Sequence, residues 1–395
     1  MSTNGKRCVI PLWVAGATIT LVAMTFAPRS GIGRHATPPV EAQRFVEVPH
    51  VRAGPSKTGR ELYQEACAAC HGEDGTGAPS SQVGFDVPLP DFTDCDFTTR
   101  EPDADWLAIA HQGGPIRGFA QQMPAFGDAL TEEELQEIVD YIRSLCASDA
   151  WPRGELNLPR PLVTEKAYPE DEAVVATSID VENEGAVSSE IVYEQRFGAR
   201  NQFEIAVPFV FREEASGGWT GGQLGDVALG VKRAFYHSLK SGTIFSLAGE
   251  LILPTGDRET GFGSGTTILE PFASFGQLLP ADGFLQLQGG AELPLDREKA
   301  TEEAFFRSVL GKSFTQGRWG RTWSPMVELL GARELTSGAE TQWDVVPQVQ
   351  VTLDKRQHIM LNAGLRIPVD DPERDTQLMA YLLWDWFDGG LLEGW

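Results

Sequence analysis

The chain has 395 residues, a length that allows two or three domains, and it carries a formal net charge of −24. A chain this acidic, without clustered Lys and Arg, does not bind nucleic acid by neutralising phosphates. The acidity is concentrated between residues 55 and 150, where 18 Asp and Glu stand against five Lys and Arg. This pattern is typical either of a solvated secreted surface or of a docking surface for a basic partner.

The N-terminus is predicted to be a targeting segment. Lys6 and Arg7 precede an uncharged apolar run, so residues 1–28 have the pattern of a signal peptide or a membrane anchor. Residues 29–54 contain scattered prolines and glycines and no hydrophobic period, which predicts a linker. At about 3.3–3.6 Å per residue this linker reaches only about 90–100 Å, too little to cross the periplasm. An uncleaved apolar run would stay in the inner membrane. If a later domain lies in the outer membrane, the short linker therefore favours cleavage of the run.

Residues 55–150 are predicted to form a helical domain. Leu62, Tyr63 and Ala66 fall on one helical face near its start. Near its end, Thr131-Glu132-Glu133-Glu134 has the capping-box pattern of a helix start, followed by an amphipathic stripe at 3.6-residue spacing. The motif with the most specific chemistry in the chain lies between these two helices.

This motif is Cys67-Ala68-Ala69-Cys70-His71, the C-x-x-C-H signature of covalent haem attachment. The two thiols add to the haem vinyl groups, and the adjacent imidazole can reach the iron. A redox dithiol or a zinc site would use similar residues. The trailing histidine, Gly72, the secreted context and a downstream methionine instead favour one covalent haem c.

The residues around the signature resemble a class I cytochrome c domain. The shared motifs are Gly59-x-x-Leu62-Tyr63, the C-x-x-C-H sequence with Gly72, Gly75-x-Gly77, and Met123-Pro124-Ala125-Phe126. The resemblance implies that His71 and Met123 are the two axial ligands of the haem iron, a pairing that raises the haem potential. His111 in a glycine-bordered loop is an alternative sixth ligand, and an open sixth position is another.

The remaining cysteines predict a disulfide. Cys8 lies in the targeting run, and the haem uses two more of the five. Cys95 and Cys146 are left as one pair in an oxidising compartment, where disulfides form and persist. Two separate buried thiols are the alternative.

Residues 151–172 carry four prolines and are predicted to be a second linker, followed by a β domain over residues 173–395. There the hydrophobic period changes to two, and turn signals separate the runs. Many runs exceed the usual soluble strand and match tilted membrane-spanning strands, which predicts an all-β antiparallel barrel in the outer membrane. A soluble sandwich is the alternative, since alternation alone cannot decide. The candidate strands lie near 173–182, 187–198, 201–212, 226–238, 242–254, 266–279, 283–294, 304–314, 322–334, 342–353, 357–368 and 376–386, about 12 in all.

The β domain also resembles the transporter-like outer-membrane barrels, through Gly225-Asp226-x-x-Leu229-Gly230-x-Lys232 and Leu253-Pro254-Thr255-Gly256-Asp257. This resemblance implies a membrane location and leaves transport open.

The favoured function is electron transfer by a haem domain that the barrel tethers to the outer membrane. With an even number of strands, the chain would enter and leave the barrel on the same side. This side would be the periplasmic one, and the haem domain would lie there too. Redox proteins, basic ones included, are the expected partners. A transporter or pore with a redox-sensing cytochrome domain and a part of an extracellular electron conduit are the alternatives. An enzyme is disfavoured because no catalytic spacing stands out, although a subunit role in a larger oxidoreductase is left open.

Overall fold

The computed structural model describes residues 57–181, 186–213, 218–371 and 374–386. The predicted targeting segment and the first linker lie outside these residues. Within the described ranges, no helix is both long and apolar enough to cross a membrane.

The first domain is helical, as predicted. Capping boxes begin its first and last helices, and the last is the one predicted at Thr131 and Glu134. These two helices cross at Gly59, where an added Cβ would lie 2.0 Å from the carbonyl oxygen of Glu137, so the close approach requires glycine. In the described residues the α-helices are α1 (Gly59–Ala66), α2 (Ala68–His71), α3 (Ser80–Val83), α4 (Cys95–Arg100), α5 (Asp103–Gln112) and α6 (Glu132–Leu145), with 3₁₀ turns at Gly114–Arg117 and Gly154–Leu156.

The second domain is a closed antiparallel barrel. The first and last strands pair with each other, from Glu172 opposite Asp385 to Asp180 opposite Gln377. The strands are β1 (Glu172–Asp180), β2 (Ala186–Phe197), β3 (Asn201–Glu213), β4 (Trp219–Leu224), β5 (Val227–Ser238), β6 (Thr243–Leu253), β7 (Ile268–Leu279), β8 (Gly283–Pro294), β9 (Glu303–Lys312), β10 (Phe314–Thr315), β11 (Thr322–Glu334), β12 (Gln342–Thr352), β13 (Ile359–Pro368) and β14 (Gln377–Asp385). Since β4 pairs with β3, and β10 with β11, both outside the ring, twelve strands close it. The barrel prediction is confirmed, and the sandwich alternative is wrong.

The barrel wall is polar inside and apolar outside. Along β7, even-numbered residues such as Glu270 and Ser274 are buried toward the lumen, while Leu269 is 43% exposed. Val231 of β5 and Leu310 of β9 are likewise apolar and exposed. A water-soluble barrel would bury its apolar face, so this inverted pattern fits a barrel that crosses a lipid bilayer.

Residues 152–171 are hereafter called the plug; their middle part lies inside the barrel lumen, and both ends contact the helical domain. This segment falls in the stretch predicted as a linker, and it does connect the two domains, but it is buried rather than solvated. Barrel side chains bind its backbone: Gln286 donates to the carbonyl of Pro159 at 2.8 Å, and Asn362 donates to that of Arg160 at 3.2 Å. Irregular backbone is tolerated at membrane depth when protein groups satisfy its polar atoms, as they do here.

Ion pairs fix the plug in the lumen. The Arg160 guanidinium binds the carboxylates of Glu172 at 2.6 Å, Glu194 at 2.8 Å and Glu165 at 3.0 Å, and all four side chains are largely buried. Lys166 pairs with Glu170 in the same way. Breaking a buried pair leaves an uncompensated charge, so these contacts strongly specify one position of the plug.

The helical domain rests on the barrel end that carries the short turns. Asp171 and Glu172 enter β1 at this end, which also carries the turns over 198–200, 239–242 and 353–358. The opposite end carries longer connections, such as 254–267. Arg200, in the turn after β2, and His237, near the end of β5, approach the carbonyl of Ala150 at 2.8 and 3.2 Å. The domain and the barrel are therefore in direct contact.

Candidate functional site

The predicted haem attachment residues lie on one short turn. Cys67 is the C-cap of α1, and the amides of Cys70 and His71 donate to its carbonyl at 3.1 and 2.9 Å. This turn brings two thiols and one imidazole together. Both cysteines are free thiols, in a chain whose other described cysteines form a disulfide.

The His71 imidazole is held in place on several sides. Its ring stacks on Phe92 with centroids 4.8 Å apart, Gly77 donates to its carbonyl at 2.9 Å, and Tyr63 donates to the next carbonyl, of Gly72, at 2.9 Å. Burial lowers the pKa of His71 to about 4, so the ring is neutral, the form that binds metal. Its buried Nδ1 has no hydrogen-bond partner among the described residues. A buried neutral imidazole beside two free thiols fits a covalently bound haem c.

The Cys67 thiol does not resemble that of a redox dithiol. Burial, with a smaller effect of the Cys70 charge, raises its pKa to about 11. A reactive dithiol needs a thiolate at neutral pH, which requires a lowered pKa. This environment therefore disfavours a redox dithiol.

Met123 lies in the loop between the 3₁₀ turn Gly114–Arg117 and α6. Its carbonyl accepts from the Gly114 amide at 3.0 Å, and Phe126 donates to Ala110 at 3.0 Å, so both ends of the loop are tied to α5 and its extension. The Met123 side chain is half-buried. Its role as the sixth ligand stays a prediction.

His111, the alternative ligand, lies near the end of α5. Its Nδ1 is 2.7 Å from the side-chain nitrogen of Gln112. Its ring centroid is 5.8 Å from that of Trp319, a residue of the turn between β10 and β11. These contacts place His111 at the junction with the barrel.

Cys95 and Cys146 are joined in the structure by a disulfide with a Cα–Cα distance of 5.1 Å. The bond ties the first residue of α4 to the residue that follows α6. The plug begins shortly after Cys146, so the disulfide fixes the point from which the chain leaves the helical domain.

Contacts between the two domains form a feature of the site that the sequence does not predict. His358, in the turn before β13, is 5% exposed, and its Nε2 lies 2.8 Å from Oε1 of Glu101. Arg117 donates to the carbonyl of Trp319 at 2.8 Å, and Gln357 donates to Asp105 at 3.3 Å. Polar residues are ordinary in barrel turns, so the sequence carries no signal that these face a second domain.

The helical domain is similar to known cytochromes. The family model described as cytochrome c oxidase, cbb3-type, subunit III matches residues 54–142. Residues 54–142 form a cytochrome c domain. The chain is 30% identical over 116 residues to the cbb3-type cytochrome c oxidase subunit FixP of Sinorhizobium medicae (strain WSM419). This match covers 28% of the chain and 37% of that relative. The domain accordingly carries covalently bound haem c.

Solved structures similar to the barrel include two porins and an autotransporter domain. The NanC porin shares 8% identity with a TM-score of 0.39, over 54% of this chain and 99% of that one. The KdgM porin shares 8% identity with a TM-score of 0.36, over 54% and 98%. The β domain of the Bordetella autotransporter BrkA shares 15% identity with a TM-score of 0.33, over 54% and 97%.

Proposed function

We propose that this chain is an electron-transfer protein in which a plugged outer-membrane barrel holds a class I cytochrome c domain. The observation that carries the proposal is the free thiol pair of Cys67 and Cys70 beside the buried, neutral imidazole of His71. A haem c bound there supplies a one-electron Fe(II)/Fe(III) couple.

The residues of the site have separate roles in this proposal. Cys67 and Cys70 would hold the group covalently, and His71, oriented by the Phe92 ring, would ligate its iron. Met123 would supply the second iron ligand. With two side chains on the iron, no position would remain for a substrate, so the site would carry electrons without making or breaking bonds to one.

The plug favours an anchor over an open pore. It lies in the lumen of the twelve-stranded ring, where Glu328 binds the amides of Leu162, Val163 and Thr164. An electron conduit across the membrane is also disfavoured, because the apolar core is about 30 Å thick and the sequence has one C-x-x-C-H motif. The barrel is therefore proposed to fix the cytochrome domain at the membrane.

We propose that the cytochrome domain faces the periplasm. It sits at the barrel end with the chain ends of the ring and the short turns, which in bacterial outer-membrane barrels is the periplasmic end. Its acidic surface favours basic redox proteins as partners through electrostatic steering.

Carbon monoxide binding to the reduced full-length protein tests the proposal. A haem with His71 and Met123 on the iron should be reduced reversibly and should bind carbon monoxide slowly or not at all. Met123→Ala should lose the weak near-infrared sulfur–iron band of the oxidised protein and should bind carbon monoxide at once. His111→Ala removes the alternative ligand and should keep the sulfur–iron band, unlike Met123→Ala. Rapid binding by the wild-type protein would contradict a pure carrier role.

A further inference from the structure

The loop that carries Met123 rests on two turns of the barrel. The guanidinium of Arg356, in the turn between β12 and β13, stacks on the ring of Phe119 at 4.6 Å. Next to it, Arg117 donates to the carbonyl of Trp319, in the turn between β10 and β11, at 2.8 Å. The Trp319 ring also lies against His111, where the loop is tied to α5. The barrel thus touches the loop at its start and at its base.

The loop has little support of its own. Gly118 adopts a left-handed conformation with φ of 75°, and Phe119 is 37% exposed even beside the Arg356 guanidinium. None of residues 118–125 is fully buried. Within this stretch Phe119 donates to Gly114 at 2.9 Å and Met123 donates to Ala120 at 3.3 Å, while Phe126 and Gly127, which donate to Ala110 and His111 at 3.0 Å, tie the base of the loop to α5. A segment with few buried contacts opens locally at low free energy unless something outside it adds support.

The barrel turns are well braced. Gln316 donates to the carbonyl of Arg321 at 2.8 Å across the first turn. In the second turn, the amide of Ile359 donates to the Asp354 carboxylate at 2.9 Å, and Thr322 donates to the side chain of Gln357 at 2.6 Å, which links the two turns. The first turn leads into ring strand β11, and the second closes the hairpin of ring strands β12 and β13, so both offer the loop a braced surface.

We propose that Trp319 and Arg356 are positioning residues that hold the Met123 loop in its ligating conformation, so that the barrel helps to set the redox potential of the haem. The inference rests on the proposed role of Met123. Because thioether ligation raises the haem potential, a loop that opens more often lowers the measured midpoint. Anything that displaces these two turns would then change the potential of a haem that it does not touch.

The test compares the full-length haem-loaded protein with the double variant Trp319→Ala, Arg356→Ala. We expect amide hydrogen exchange over residues 113–127 to become about tenfold faster, because the stacking and packing contacts of the loop are lost. We also expect a weaker sulfur–iron band and a lower midpoint potential. The matched control is Arg200→Ala, which removes another contact from a barrel turn to the helical domain, at Ala150 and away from the loop.

Three outcomes decide the inference. Faster exchange and a lower midpoint in the double variant, with the Arg200→Ala protein like wild type, support it. Equal exchange in all three proteins, or equal loosening in both variants, overturns it, because the loop would then be independent of the turns or sensitive to any loss of docking. A wild-type protein without the sulfur–iron band refutes Met123 ligation, while the exchange comparison still decides whether the turns position the loop.

Discussion

The plug should keep the barrel closed, and Glu328 is the residue whose loss should open it. Its buried carboxylate accepts from the amides of Leu162, Val163 and Thr164 at 2.9, 3.1 and 2.9 Å, and from the Thr164 hydroxyl at 2.6 Å. Glu328→Ala removes this partner from all three amides and from the Thr164 hydroxyl, although the Leu162 amide keeps the side-chain oxygen of Gln348 at 3.0 Å. Hydrogen bonds to a charged group contribute about 1.5–3 kcal/mol each and are not additive, so about 4 kcal/mol is a conservative loss. At 1.4 kcal/mol per factor of ten, the displaced plug becomes roughly a thousandfold more populated.

Single-channel recording in planar bilayers measures this population. The wild-type protein should be silent at moderate voltage, and the Glu328→Ala protein should show discrete openings. Glu292→Ala is the matched control, because Glu292 lies on the lumen side of β8 and forms no hydrogen bond to the plug in the described residues. Steady porin-like conductance by the wild-type protein, or a Glu328→Ala protein as silent as the control, would refute the reasoning.

The remaining predictions concern the cytochrome domain. Replacing Cys95 and Cys146 by Ser should lower its free energy of unfolding by about 4 kcal/mol, since the bond closes a loop with a sequence separation of 51, and chemical denaturation measures the loss. Gly59→Ala should destabilise α1 against α6 by about 2–3 kcal/mol through overpacking and lower the melting temperature, whereas Gly249→Ala, with open space at the Cβ position, should not. Burial, and after it the Glu101 charge, raises the pKa of Asp105 to about 6. Because the folded state holds this proton more tightly than the unfolded state, the contribution of Asp105 to the free energy of unfolding falls as the pH rises from about 4 through 6. In Asp105→Asn this part of the pH dependence of unfolding should vanish.

Much of the barrel could be predicted because its wall alternates with a period of two. The predicted strand over 201–212 is observed as Asn201–Glu213, and that over 283–294 as Gly283–Pro294. The two short strands outside the ring, β4 and β10, could not be predicted. Strands of six and two residues are too short to show a clear hydrophobic period. The C-x-x-C-H motif similarly located the thiols and the imidazole, because that chemistry is local.

The plug could not be predicted from the same rules. Its prolines break both helical and strand periods, so the segment has the local pattern of a linker. Its order comes from barrel side chains and from contacts within the folded plug: Ser246 of β6 donates to the carbonyl of Ala167, and Tyr168, 1% exposed, donates to that of Pro152 at 3.2 Å. A usable signal was the mixture of apolar residues with Arg160 and Lys166 in a proline-rich stretch, since a solvated linker has no need of large apolar side chains.

The cytochrome domain and the plug hold each other in place. Arg153, near the start of the plug, donates to Asp103 of α5 at 2.7 Å, and Arg100 of α4 pairs with Asp171 at the end of the plug. Both ends of the plug leave the barrel on the same side, so the plug cannot move out that way without breaking these pairs, and it cannot leave on the other side while its ends are held. A domain fixed at both ends of a buried segment does not search for its partners as a tethered domain would. Under the proposed electron-transfer role, exchange would therefore depend on carriers that diffuse to the barrel, and on how well their charge complements the acidic surface that they meet there.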